Sequence, residues 1–201
     1  GGPASSGDLF YNRHYWGPSM AVVGGRMFIQ GPGKLTAVDV YTGRILWTTP
    51  LLDHNENYNP GRRGNDFEKH LAGFHFLAVE DAIYLVLGGD ILRIDPVDGK
   101  IVSTFPTGSP SDDWGRIRVQ EDLLLAPVCR DYQAGGKSHG KLPVELVALN
   151  RHSGETLWQH KAYMSIPVLS VGKDRVFCYD GLLEGLYGDQ RRKGLVPKSS
   201  D

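Results

Sequence analysis

Leu35-Thr36-Ala37-Val38-Asp39-Val40-Tyr41-Thr42-Gly43-Arg44-Ile45-Leu46-Trp47 is the stretch that decides the fold. Its first half alternates apolar and polar residues, the pattern of a strand with one buried face. Asp39 stands where its side chain can bond backbone amides two residues on, and Gly43 supplies the positive φ of a tight turn. A second strand follows and ends on Trp47, so the segment reads as a β-hairpin. The same hairpin returns at Ile91 to Ser103, with Asp95 and Gly99 in the matching places, and at Leu146 to Trp158, with Asn150 and Gly154.

A second repeated piece precedes each hairpin. Met20 to Gln30, Phe76 to Val86 and Ile117 to Ala126 each read as strand, turn, strand. Two hairpins per unit make one four-stranded antiparallel propeller blade. A fourth copy, Val168 to Cys178, is followed by no clean hairpin. The expected fold is therefore all-β: a partial β-propeller with about three complete blades and half of a fourth. The blades are expected at about residues 20–52, 74–106, 114–162 and, in part, 166–181. Residues 1–19 read as a lead-in or a strand from a neighbouring blade, and 182–201 as a polar tail. The turn glycines stand further apart than a lean blade of about 40 to 50 residues allows. Two polar stretches, Asp53 to His70 and Arg130 to Leu142, absorb the excess and read as surface excursions.

Composition narrows the function classes. The 201 residues carry a formal net charge of -1, with 26 glycines and 12 prolines, which favours many short strands and turns over long helices. No global field draws such a chain to nucleic acid. Arg62-Arg63 and Arg191-Arg192-Lys193 read as solvated loop charges. No run of 18 apolar residues exists, so no membrane-spanning helix is expected. The opening Gly1 to Gly7 has neither the charged nor the apolar region of a signal peptide, and any export signal is expected outside this chain. Cys129 and Cys178 read as two buried free thiols, with a disulfide as the other option, and leave the compartment open.

At Ala37 to Trp47 the sequence closely resembles the pyrroloquinoline-quinone (PQQ) type propeller repeat. That pattern is alternating apolar residues, Ala-Leu-Asp, two residues, Thr-Gly-Lys and a Trp four residues after the Gly. Leu146 to Trp158 is similar, with Asn150 for Asp and Ser153 for Thr, whereas Ile91 to Ser103 has Asp98 for Thr and Ser103 for the Trp. The resemblance runs from about Met20 to Cys178. Trp114 to Leu125 and Leu146 to Trp158 also resemble a subgroup of large bacterial PQQ-like repeat proteins. The resemblance implies that Trp47 and Trp158 are blade-docking residues, set in a frame made by Asp39, Asp95, Asn150 and the three turn glycines. It implies six to eight blades in a closed ring, so the remaining blades or a second copy of the chain are expected partners. It also implies a periplasmic or cell-surface setting.

Enzymes of the wider family hold PQQ and calcium on the propeller axis, and some stack the quinone on adjacent cysteines. Cys129 and Cys178 are not adjacent, and no Cys-x-x-Cys-His haem motif is present. No catalytic residue is assigned. Asp112 and Asp113 are weak metal candidates, read first as a turn or solvated edge. Gly135 to Leu142 has the spacing of a phosphate loop up to Lys141 but lacks the following Ser or Thr and a helix. His70 and His75 lack the spacing of a helical zinc pair. Asn12 to Pro18 suits either a binding rim or a strand against a neighbour. Two functions from different classes fit these residues. The favoured one is a non-catalytic scaffold that presents loops to a protein or carbohydrate partner. The other is part of a PQQ- and calcium-dependent dehydrogenase oxidising alcohols or aldoses. No cofactor is expected in this chain alone, with PQQ and calcium reserved for the full protein.

Overall fold

Strand-forming sequence separated by glycine turns folds locally into hairpins, and the computed structural model of the chain is built from them. It describes residues 20–31, 34–51, 74–134, 137–161, 164–172, 175–180 and 193. Among these every regular element is a strand. No helix among them is long and apolar enough to cross a membrane. The first blade is a four-stranded antiparallel sheet of β1 (Met20–Val23), β2 (Arg26–Gly31), β3 (Lys34–Asp39) and β4 (Ile45–Pro50), in that order. The second repeats it with β5 (Phe74–Ala78), β6 (Ile83–Leu87), β7 (Asp90–Ile94) and β8 (Ile101–Pro106).

In the third blade the inner position is shared by β9 (Asp113–Trp114) and β10 (Arg118–Gln120), which both pair with β11 (Leu123–Ala134). Next come β12 (Lys137–Asn150) and β13 (Thr156–Lys161). The two-stranded sheet of β14 (Met164–Val171) and β15 (Val176–Asp180) begins a fourth blade. The chain is thus a partial β-propeller of about three blades and a half. The lead-in 1–19 with Asn12 to Pro18, the excursion Asp53 to His70 and the tail 182–201 lie outside the described residues, Lys193 excepted.

The second excursion is corrected. At Arg130 to Ala134 and Lys137 to Leu142 the described residues are strand rather than loop, because β11 and β12 run on as a paired ribbon, with register shifts at Val128/Cys129 and Asp131/Gln133. Such a ribbon is held by backbone pairing, which leaves no apolar alternation for a sequence pattern to register. The phosphate-loop spacing ending at Lys141 accordingly falls largely on strand β12. The thiols are also adjusted: both are free, Cys129 is buried and Cys178 only half-buried.

Blades are buried by their neighbours, and the middle one shows it. All five residues of β6 are buried. Ile83, Leu85 and Leu87 pack toward the first blade with Phe28, Leu35 and Ala37. Tyr84 and Val86 pack the opposite way, with Trp114, Ile117 and Leu124 of the third. A strand covered on both faces reads as one continuous apolar run.

Each outer hairpin carries the same irregularity, a register shift between Ala37 and Val38, Arg93 and Ile94, and Ala148 and Leu149. Past it the turn glycines sit at φ 71, 75 and 77 for Gly43, Gly99 and Gly154. Gly99 has a second constraint, since a Cβ there would stand 2.5 Å from Trp47 Cε3 and 2.6 Å from Thr49 Oγ1. Around Gly43 no described atom comes within 4 Å of that position. Gly99→Ala is therefore expected to cost about 3–4 kcal/mol, the left-handed backbone and the overlap acting together. Gly43→Ala should cost only the backbone part, about 1–2 kcal/mol. Urea unfolding of the two variants measures the difference.

Candidate functional site

The candidate site is the set of seams between blades, and it starts with the turns. Asp39 Oδ1 accepts the amides of Tyr41 at 3.0 Å and Thr42 at 2.8 Å, and the Thr42 hydroxyl at 2.9 Å. Those bonds, the Thr42 amide first, hold its carboxyl below the usual range. Asp95 accepts the Val97 amide at 2.6 Å, and Asn150 those of His152 at 2.9 Å and Ser153 at 3.1 Å. The amides of Gly43, Gly99 and Gly154 bond back to the carbonyls of Asp39, Asp95 and Asn150. Each turn is closed on itself, leaving its outer carbonyls for a neighbouring blade.

The neighbour uses them. Trp47 lies over Gly99 and donates its indole N–H to the Pro96 carbonyl at 3.1 Å, while the Thr49 hydroxyl donates to the Gly99 carbonyl. Phe28 stands behind it, ring centroids 5.9 Å apart. At the next seam Ser103 occupies the Trp position, and Phe105, two residues on, lies over Gly154 so closely that a Cβ there would overlap its ring. Tyr84 donates to the Arg151 carbonyl at 2.9 Å, the counterpart of the Pro96 carbonyl. Arg151 in turn grips Asp81 at 2.8 Å and donates to the Glu121 carbonyl at 2.7 Å. Trp158 is different: it is 39% exposed and no described glycine has it among its nearest neighbours.

Sequence reasoning missed Phe105, Trp114 and Arg151. Phe105 had a signal, since Ser103 and Phe105 share a strand face at period two. Trp114 is buried with its indole bonded to the Phe105 carbonyl at 2.9 Å, pinning the crossing from second to third blade.

The two acidic candidates sit on this crossing, and each is paired with a different cation. Asp112 is 3% exposed and takes a two-pronged bond from Arg130, at 3.0 and 2.7 Å. Arg130's hydrogen bonds, more than its charge alone, hold the Asp112 carboxyl below its ordinary value. Asp113 pairs with Lys141 at 2.8 Å. Among the described residues no group of three or more His, Cys, Asp or Glu stands where it could hold a metal ion. Burial pushes the nearby Cys129 thiol up to about 12, with the Asp113 charge adding, so it stays protonated at neutral pH. His70 lies outside the described residues, and His75 falls within strand β5.

The family model described as "Outer membrane protein assembly factor BamB" matches residues 5–166. The chain belongs to this PQQ-type repeat family. Among solved structures the chain is similar to quinohemoprotein alcohol dehydrogenase ADHIIG from Pseudomonas putida HK5. That match is 18% identical with a TM-score of 0.45, and covers 71% of this chain and 20% of that one. It is also similar to BamB from Moraxella catarrhalis, at 17% identity and TM-score 0.38, covering 72% of this chain and 52% of that one. The WD40 domain of Neurospora crassa Pan2 matches at 12% identity and TM-score 0.40, covering 72% of this chain and 36% of that one. No curated protein sequence is significantly similar. This PQQ-type chain spans about a fifth and about half the length of the first two matched structures.

The Asp112–Arg130 pair yields a pH-dependent test. Arg130 is 55% exposed, so its loss leaves a buried carboxylate only partly able to find water. Arg130→Met is expected to lower stability by about 2 kcal/mol at pH 7. Because the folded value of Asp112 lies below its ordinary 3.8, the wild-type advantage is full above about pH 5 and fades as the pH falls through the folded value. Chemical denaturation of both proteins across pH 2–7 should show two curves converging at the acid end.

Proposed function

We propose that this chain is a non-catalytic β-propeller scaffold or binding module, one part of a larger PQQ-like repeat protein acting in the periplasm or at the cell surface. The observation that carries the reading is what the repeat's signature residues spend their chemistry on. Asp39, Asp95 and Asn150 close turns, Gly99 and Gly154 receive aromatic rings, and Trp47 and Phe105 lie in seams. Trp158 and strand β13, all six residues of which are exposed, offer the same seam surface. In the proposed assembly it receives further blades of the parent protein or a second copy. The completed surface then presents its loops to a protein or carbohydrate partner. The family's description as an outer-membrane assembly factor supports the reading.

Two measurements test it. Adding PQQ and calcium to the purified protein should give neither quinone absorbance beyond that of the free cofactor nor dye reduction with alcohols or aldoses. Bound quinone with turnover would sink the scaffold reading in favour of a dehydrogenase. Independently, Trp47→Ala should cost about 3 kcal/mol in the chain alone, and Trp158→Ala less than about 1 kcal/mol. In a preparation containing the missing neighbour the two losses should become similar. Equal losses in the chain alone would mean that the Trp158 seam is already filled.

A further inference from the structure

Three cross-strand rows occupy equivalent places on the seam faces. In the first blade the row is Phe28, Ala37, Trp47, each paired directly with the next across β2, β3 and β4. In the third it is Leu125, Ala148, Trp158. Both rows put one large aromatic beside one alanine. In the second blade the row is Tyr84, Arg93, Ser103. The bulk has moved one strand inward, from the Trp position to the Ala position, and the row has become polar.

Polar groups in a seam need partners. The Tyr84 hydroxyl has one in the Arg151 carbonyl. Arg93 Nε and Ser103 Oγ are buried and have none among the described residues. They are the two buried side-chain atoms in that state, and they belong to directly opposed residues of one strand pair. No carboxylate among the described residues pairs with Arg93. The nearest polar neighbour in the row, Tyr84, is itself capped by a second guanidinium, with Arg151 Nη1 at 3.4 Å from its hydroxyl. Arg93 and Ser103 are both half-buried, and the Nε edge of the guanidinium is closed off from solvent without a counter-charge among the described residues.

We propose that Arg93 and Ser103 form a binding site for a small oxyanion, of carboxylate or phosphate type, in the seam between the second and third blades. The Nε edge of a guanidinium matches two oxygens of such a group, and a serine hydroxyl donates to a third or shares one. A single water would satisfy the serine but leaves the charge unneutralised. The proposal is independent of whether the propeller is a scaffold or a dehydrogenase, because it uses no residue of either reading.

The test uses inorganic phosphate and, separately, acetate as probes against chloride at equal ionic strength. The paired variant is Arg93→Ala with Ser103→Trp, which restores the Ala–Trp row of the flanking blades and keeps the seam filled. Isothermal titration calorimetry is expected to show saturable uptake of at least one probe by the wild-type protein, and at least a tenfold loss in the double variant. The melting temperature of the wild-type protein should rise by about 4 °C for each tenfold of probe above its dissociation constant. General salting by phosphate acts on both proteins and so cancels in the comparison. Phosphate uptake alone assigns a phosphate-type ligand and acetate uptake alone a carboxylate. No uptake by the wild-type protein, or equal uptake by both proteins, overturns the proposal.

Discussion

The contact on which everything else depends is an aromatic ring pressed against a glycine. Trp47 on Gly99 and Phe105 on Gly154 bring the sheets so close that there is no room for a β-carbon. The turn must then place a residue at positive φ in the same spot, and glycine alone meets both demands without strain. The Asp or Asn that opens the turn, four positions before the glycine, holds that geometry by taking up the loose amides. Removing any one of these parts releases the others. The turn and the seam are therefore one unit of structure, distributed over two blades.

Much of this unit was legible in the sequence because its parts are compulsory. Asp39, Asp95, Asn150 and the three glycines recur at fixed offsets, and period-two alternation in between identifies the strands. What escaped was whatever could be done in more than one way. A ring over Gly154 can come from either of two residues on one strand face, and Phe105 took the place that Ser103 left. The continuation of β11 and β12 through Arg130 to Leu142 was unreadable for another reason. Backbone pairing is blind to side-chain type, so a polar ribbon and a polar loop have the same composition. Asp112 looked like a solvated turn residue because its partner, Arg130, lies on strand β11, eighteen positions away.

The seams are not copies of one another, and the differences have a local logic. Where the docking row loses its tryptophan, its neighbours gain size and polarity, and Tyr84, Arg151 and Asp81 add a hydrogen-bonded clasp that the first seam lacks. Trp114 adds another anchor at the crossing. The second seam thus keeps a ring on its glycine in Phe105 and sets several directional bonds around it, which fix orientation more tightly than area does.

In both described seams the aromatic residue lies upstream of the glycine that receives it, by about fifty positions. The joint between blades therefore has a direction, like a row of hooks and eyes facing one way. A blade emerging from the ribosome finds its hook already formed in the segment made just before it, so the described seams can form in the order in which the chain is made. The same polarity sorts damage: a lesion in a glycine turn loosens the seam behind it, and a lesion in an aromatic residue the seam ahead.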